Sequence, residues 1–305
     1  MATLFDVDGE NLHLGYKNLC RAEFAAEKEL VSQIDELWTT YAPYADPDFK
    51  DGFARDPDGR FWEMYIGCSL LKAGKQLLPT SERLLRGGQP DICVLEGGKK
   101  LWIEAIAPDR GVPGPDRVTE LKPLNEGGGF APVPVRQAQL RITSALWTKS
   151  NVITRYLKEG VIGKDDVRMV AIGGGRFGVQ IQDNRLPLVL SSVFPIGAEY
   201  VSIDRATGEQ VGQGFETSLE IAREGDPIPR TAFLDGPFGH ISGIIWSRVS
   251  IGNMSRDQRP LTLVHNPRAE IAMPQKWGVW DREYVAVEAD GRWTATDVLA
   301  GPENP

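Results

Sequence analysis

Asp91 and Glu104 lie in the stretch GGQPDICVLEGGKKLWIEAIAP, positions 87 to 108. Two apolar runs, Ile92 to Leu95 and Leu101 to Ala107, flank Gly97-Gly98 and read as two strands joined by a two-residue hairpin turn. With those glycines as the turn, Glu96 faces Lys99, Leu95 faces Lys100, and the pairing runs back until Asp91 faces Glu104. Directly opposed residues in an antiparallel pair have Cβ atoms about 4.5–5.5 Å apart. A buried unpaired carboxylate is costly, and two opposed ones repel unless a cation sits between them. A hard divalent ion such as Mg²⁺ (or Mn²⁺) suits that position, because it is held by one or two carboxylates together with substrate phosphate oxygens. The same letters also allow a frayed strand end, or a register in which the charges never meet.

Helices must position whatever joins these acids. Arg60 to Ala73 has helical patterning and sets Glu63 amid Phe61, Trp62 and Ile66. There Glu63 either adds a third acid to a metal shell or metal-bound water, or is an exposed helix residue paired with Arg60. Positions 135–159 form a further helix. Ile142, Leu146, Ile153 and Leu157 make its core face, and Arg141, Ala145, Lys149, Val152 and Tyr156 a second stripe. That stripe is either solvated or turned toward the carboxylates.

Taken in order, these elements resemble the PD-(D/E)XK phosphodiesterase superfamily, the restriction-endonuclease-like fold. The matching residues are Pro90-Asp91, Glu104 after the hairpin, Glu63 on the preceding helix, and a basic helix afterwards; they cover about a third of the chain. The resemblance implies that Asp91 and Glu104 bind Mg²⁺, that Glu63 assists, and that nucleic acid is hydrolysed, with DNA favoured over RNA and the choice between them left open by the sequence. In that family a lysine two residues after the second acid helps to activate water. Here that position is Ile106. Some members carry the lysine on the neighbouring helix, and Lys149 is the candidate, with Arg141 or Tyr156 contacting the scissile phosphate. The missing motif lysine equally fits a degenerate nuclease fold that only binds or assembles.

Other motifs compete. LFDVDGEN, with Asp6 and Asp8, resembles the start of haloacid-dehalogenase-type phosphatases, although Glu10 stands where a threonine is usual and regular βα alternation does not follow. It also begins like a calcium loop without the central glycine. Lys164-Asp165-Asp166 reads as a turn before a strand. Gly173-Gly174-Gly175-Arg176 lacks the ending of a phosphate-binding loop and reads as a hairpin turn. His13, His240 and His265 are too far apart for a zinc-ligand spacing, and His265 suits a structural hydrogen bond. The tryptophans read as core, with Trp102 and Trp147 close to the proposed site.

The chain has 305 residues, 41% hydrophobic and 25% charged, a globular composition with a sizeable core. Its net charge of −8 disfavours an anionic partner, but the charge is uneven. Positions 60–160 carry 15 basic and 10 acidic side chains, against 5 and 13 in positions 1–59. A locally positive segment suits an anionic substrate; ordinary helix-surface cations account for it equally well. Three scattered cysteines disfavour a disulfide framework. With an acidic N-terminus and no apolar run near the roughly 20 residues that span a bilayer, the expectation is a cytoplasmic protein without membrane contact.

The expected fold class is α/β. Positions 1–59 form a helical and loop region, with a helix over 18–41 and a loop over 41–59. Positions 60–175 form the nuclease-like core of helix, hairpin, helix and the strand Val167 to Gly173, with a long loop over 107–134. Positions 176–305 are β-rich, in RLPLVLSSVF, EYVSIDR, HISGIIWSRVSI, PLTLVH and EYVAVEA. They either extend the same sheet or form a subdomain of their own.

Overall fold

A computed structural model describes residues 3–83, 88–119, 132–178, 183, 186–254, 260–289 and 291–300. The fold is α/β. Four helices come first: α1 (Leu14–Arg21), α2 (Ala25–Tyr41), α3 (Phe49–Arg55) and α4 (Pro57–Lys72). They are followed by β1 (Gln76–Leu77), β2 (Ile92–Glu96), β3 (Lys99–Ile106), α5 (Val135–Glu159) and β4 (Val167–Gly173). The rest comprises α6 (Leu190–Val193), β5 (Ile196–Ile203), β6 (Gln210–Thr217), β7 (Glu220–Ile221) and β8 (Ile228–Pro229). Last come β9 (Gly243–Ser247), β10 (Thr262–His265), β11 (Arg282–Ala289) and β12 (Arg292–Asp297).

Eight strands form one mixed sheet in the order β1-β2-β3-β4-β9-β10-β11-β12. β2 and β3 are an antiparallel hairpin, β3, β4 and β9 run parallel, and α5 is the crossover between β3 and β4. Strands after position 176 therefore extend the sheet of the hairpin, while β5–β6 and β7–β8 pair off as separate ribbons. Alternation along each strand separates two cores. Ile92, Val94, Leu101, Ile103, Met169 and Ala171 pack with residues of α2, α3 and α4. Cys93, Trp102, Val170 and Ile172 pack with Ala138, Ile142, Leu146 and Ile153 of α5 on the other face.

Several expected elements differ. The helix over 18–41 is two helices, because Ala22 takes a left-handed cap (φ 42°) and Glu27 reaches back to the Phe24 amide to start α2. The expected loop over 41–59 contains α3, since Phe49 and Phe53, four residues apart, are buried on one face. RLPLVLSSVF supplies α6 rather than a strand, with Leu190 and Val193 buried. Gly173 to Arg176 is not a hairpin turn: β4 has parallel neighbours on both sides, and Gly175–Phe177 is a 3₁₀ turn. Of the long loop over 107–134, positions 120–131 lie outside the described residues; its flanks carry neither helix nor strand. Among the described residues, no helix is long and apolar enough to cross a membrane.

Candidate active site

The hairpin forms in the expected register. Glu96 pairs with Lys99, Leu95 with Lys100, and Ile92 with Ile103, which sets Asp91, one position before β2, opposite Glu104. Gly97 and Gly98 both take left-handed backbone (φ 56° and 81°), as a two-residue turn of this hand requires. Asp91 and Glu104 share strand parity with Cys93 and Trp102, so both belong to the face that α5 covers. The Asp91 Oδ2 accepts the Ala105 N–H at 2.7 Å, which pins the carboxylate across the hairpin.

Lys149 completes this group. Its core-side neighbours on α5, Ile142, Leu146 and Ile153, are buried against the sheet. From the edge of that face its stem runs inward and brings the ammonium to 2.5 Å from Glu104 Oε2 and 3.7 Å from Asp91 Oδ2. Glu104 is 3% exposed. The two carboxylates thus share one ammonium.

Glu63 is buried rather than exposed, yet its pairing with Arg60 exists. Arg60 Nη1 donates to Glu63 Oε2 at 2.8 Å, and the Tyr41 hydroxyl donates to Oε1 at 3.0 Å. α4 packs on the opposite sheet face from α5. Asp91, at the end of β2, is the acid whose charge both Glu63 and Glu104 feel. Behind it, the buried Arg83 donates to the carbonyls of Leu78, Pro90 and Asp91, at 2.9, 3.0 and 3.1 Å. Sequence reasoning passed over Tyr41, Arg83 and Asp46. Arg83 lies in a loop and Tyr41 at a helix end, so no periodicity marks either.

The electrostatics reflect crowded acids. Burial first, and then the charge of Asp91, push the Glu104 carboxyl up to about 8, against the pull of Lys149. Glu63 is likewise pushed up to about 8 by burial and Asp91, against Arg60 and Tyr41. Burial and Asp91 also raise Asp46. Burial alone would depress Lys149; Asp91 and Glu104 outweigh it and hold the ammonium above its ordinary range. The lysine keeps its proton, and the acids carry the strain.

Tyr156 joins this field, raised by burial and then by Glu104, and its hydroxyl donates to the Gln89 carbonyl at 3.1 Å. Arg141 is not brought to the carboxylates. Asp109 holds it, with Arg141 Nη2 at 2.8 Å from Oδ1, and it lines a cleft of about 590 Å³ along α5. Neither Asp91 nor Glu104 lines that cleft. The competing motifs are structural in form. Positions 3–13 contain no strand, and Asp6 pairs with Lys50. Asp166 takes up the Gly163 and Trp102 N–H groups. Arg176 is held by Asp56, Asp58 and the Ala107 carbonyl. His13 caps α1, His240 meets Ser150 and Thr154, and His265 meets the buried Glu283 at 2.7 Å. Trp102 is core as expected, but Trp147 is 55% exposed.

No protein-family model, curated protein or solved structure matches the chain. The site therefore speaks through its own chemistry.

Among the described residues, no three or more Asp, Glu, His or Cys side chains form a metal-binding group. What the chain offers is the carboxylate pair Asp91 and Glu104. Hard oxygen donors in that number fit Mg²⁺, which keeps several waters and takes further oxygens from a substrate.

Proposed function

We propose that this chain is a metal-dependent phosphodiesterase acting on nucleic acid, built on a restriction-endonuclease-like core. The observation that carries the reading is the Lys149 ammonium, which reaches both Asp91 and Glu104 from α5. It supplies from a neighbouring helix the cation that Ile106 cannot. The β2–β3 hairpin, α5 and β4 follow in the order the resemblance requires.

Asp91 and Glu104 would hold Mg²⁺ or Mn²⁺. The ion, when bound, supplies Lewis-acid polarisation of the phosphate and activation of water. Lys149 then turns from Glu104 toward the phosphate oxygens, where negative charge grows in the transition state. Tyr156, whose hydroxyl donates to the Gln89 carbonyl, would contact the scissile phosphate in place of that carbonyl. Glu63, held by Tyr41 and Arg60, acts behind Asp91. Arg141 would touch the strand farther along, beyond the reacting phosphate.

A second reading rests on the same pair. Glu104 and Lys149 are closed on each other at 2.5 Å, which also suits a nuclease fold retained only for binding or assembly. The purified protein, incubated with single- and double-stranded DNA and RNA in Mg²⁺ or Mn²⁺, separates the two. Cleavage that EDTA and Glu104→Gln both abolish supports the enzyme. Salt-sensitive binding without cleavage in either metal supports the module.

A further inference from the structure

Resting on the metal-dependent reading above, we infer that Arg83 is a positioning residue of the site: it anchors the backbone of Asp91 and so fixes where that carboxylate stands against Glu104. Asp91 precedes β2, whose ladder with β3 begins at the Ile92–Ile103 pair, so side chains must hold it. The Pro90 and Asp91 carbonyls both accept from Arg83 Nη1, at 3.0 and 3.1 Å. The Gln89 carbonyl before them accepts the Tyr156 hydroxyl at 3.1 Å. In the proposed reaction Tyr156 leaves Gln89 for the phosphate, and Arg83 keeps its hold on residues 90 and 91.

Shape suits Arg83 to this work. Its Nε donates to the Leu78 carbonyl at 2.9 Å, and Nη2 to the Tyr44 carbonyl at 3.4 Å. One planar guanidinium thus ties the turn after α2, the residue after β1 and the approach to β2 together. A lysine carries its donors on a single nitrogen and cannot span that fork. Charge adds to shape. Arg83 is 5% exposed, and each hydrogen bond it makes to a described residue ends on a main-chain carbonyl. Burying a cation on carbonyls alone is costly, but its field falls on the acid cluster. Burial and then Asp91 raise Asp46, and Arg60 and Arg83 oppose them. Burial, Glu63 and Asp91 raise Tyr41, and Arg83 again opposes. The same group therefore anchors Asp91 and offsets the crowding of acids around it.

The 2.7 Å bond from the Ala105 N–H to Asp91 Oδ2 reports the carboxylate's position. The test follows hydrogen exchange in the ¹⁵N-alanine-labelled 305-residue chain without metal, comparing Ala105 with Ala171 on the adjoining β4, then titrates Mn²⁺ by calorimetry. Arg83→Lys keeps the charge and loses the fork, and Arg83→Met loses both. Leu263→Ala, in the buried core of β10, weakens the fold at another strand. In both Arg83 variants exchange at Ala105 should rise about 5- to 150-fold relative to Ala171, and Mn²⁺ affinity should fall about 10- to 100-fold. Leu263→Ala should move both amides together and leave Mn²⁺ affinity unchanged. Where Arg83→Met does not fold, Arg83→Lys decides; its failure to fold as well would mark the arginine as structural and overturn the inference. Ala105 and Ala171 moving in step in the Arg83 variants, or Mn²⁺ affinity equal to that of a wild type that binds it, also overturns it. The two readings fail separately. Selective loosening of Ala105 in a protein whose wild type takes up no Mn²⁺ keeps Arg83 as the anchor of Asp91 and removes the metal-dependent phosphodiesterase. Unchanged Ala105 exchange in Arg83 variants that cleave at full rate in Mg²⁺ removes the anchor and keeps the phosphodiesterase.

Discussion

At the scale of single residues, the site is a balance between acids that repel and a lysine that must serve two of them. Removing the ammonium leaves Glu104 buried beside Asp91, and a carboxyl already pushed up to about 8 relieves that by taking a proton. Lys149→Met should therefore fold nearly normally while cleavage falls by about 10²–10³-fold, the usual loss for one donor at a developing charge. Circular dichroism and a single-turnover assay measure the two; full activity in both Lys149→Met and Lys149→Ala would rule the lysine out. The acids make a second prediction. A carboxyl that binds its proton more tightly folded than unfolded stabilises the fold fully only below its unfolded value of about 4.3. That contribution disappears as pH rises through about 8, for Glu63 and Glu104 alike. Without metal, the melting temperature of wild type relative to Glu104→Gln should fall between pH 5 and 8, and Mg²⁺ should restore part of it. A difference that stays flat over that range would mean that Glu104 is ionised throughout.

Elements explain which parts of the site could be read from letters. The hairpin was legible because Gly97-Gly98 fixes a two-residue turn and the turn fixes the register, so the facing of Asp91 and Glu104 followed by counting. Helix α5 was legible from the spacing of Ile142, Leu146 and Ile153, and Lys149 from its offset to them. Glu63 was only half legible: its Arg60 partner is local, but its burial depends on Tyr41, 22 residues earlier. The route of Tyr41 depends on Gly67, where a Cβ would stand 2.2 Å from the Tyr41 ring. No pattern in one sequence announces such a contact. Gly67→Ala should consequently cost about 1–3 kcal/mol through overpacking. It should also free Glu63 from its tyrosine donor, seen in denaturant unfolding and in a changed activity–pH profile. A silent substitution would mean that α2 can move away without consequence.

At the scale of the whole molecule, the carboxylate pair rests on a sheet that continues far beyond it. All seven residues of β4 are buried, with β3 on one side and β9 on the other. β9 brings Ile244, Ile245 and Trp246, all fully buried, and the Trp246 ring packs so closely on Gly174 that a Cβ there would stand 2.4 Å from it. The sequence left open whether the C-terminal strands extend the sheet, because strand patterning is local and pairing across about 70 positions is not. That continuity has a measurable consequence. A chain ending at position 178 keeps Glu63, Asp91, Glu104 and Lys149, but it turns β4 into an edge strand and uncovers apolar residues on both faces. Burial of about 25 cal/mol per Å² is lost along the whole strand, more than a marginally stable fold can absorb. The truncated chain should therefore show no cooperative melting and no saturable Mg²⁺ response, whereas the 305-residue chain should show both. If the fragment melts cooperatively and responds to Mg²⁺ at the same concentrations, the first half is an independent core and β9 to β12 are an addition to it.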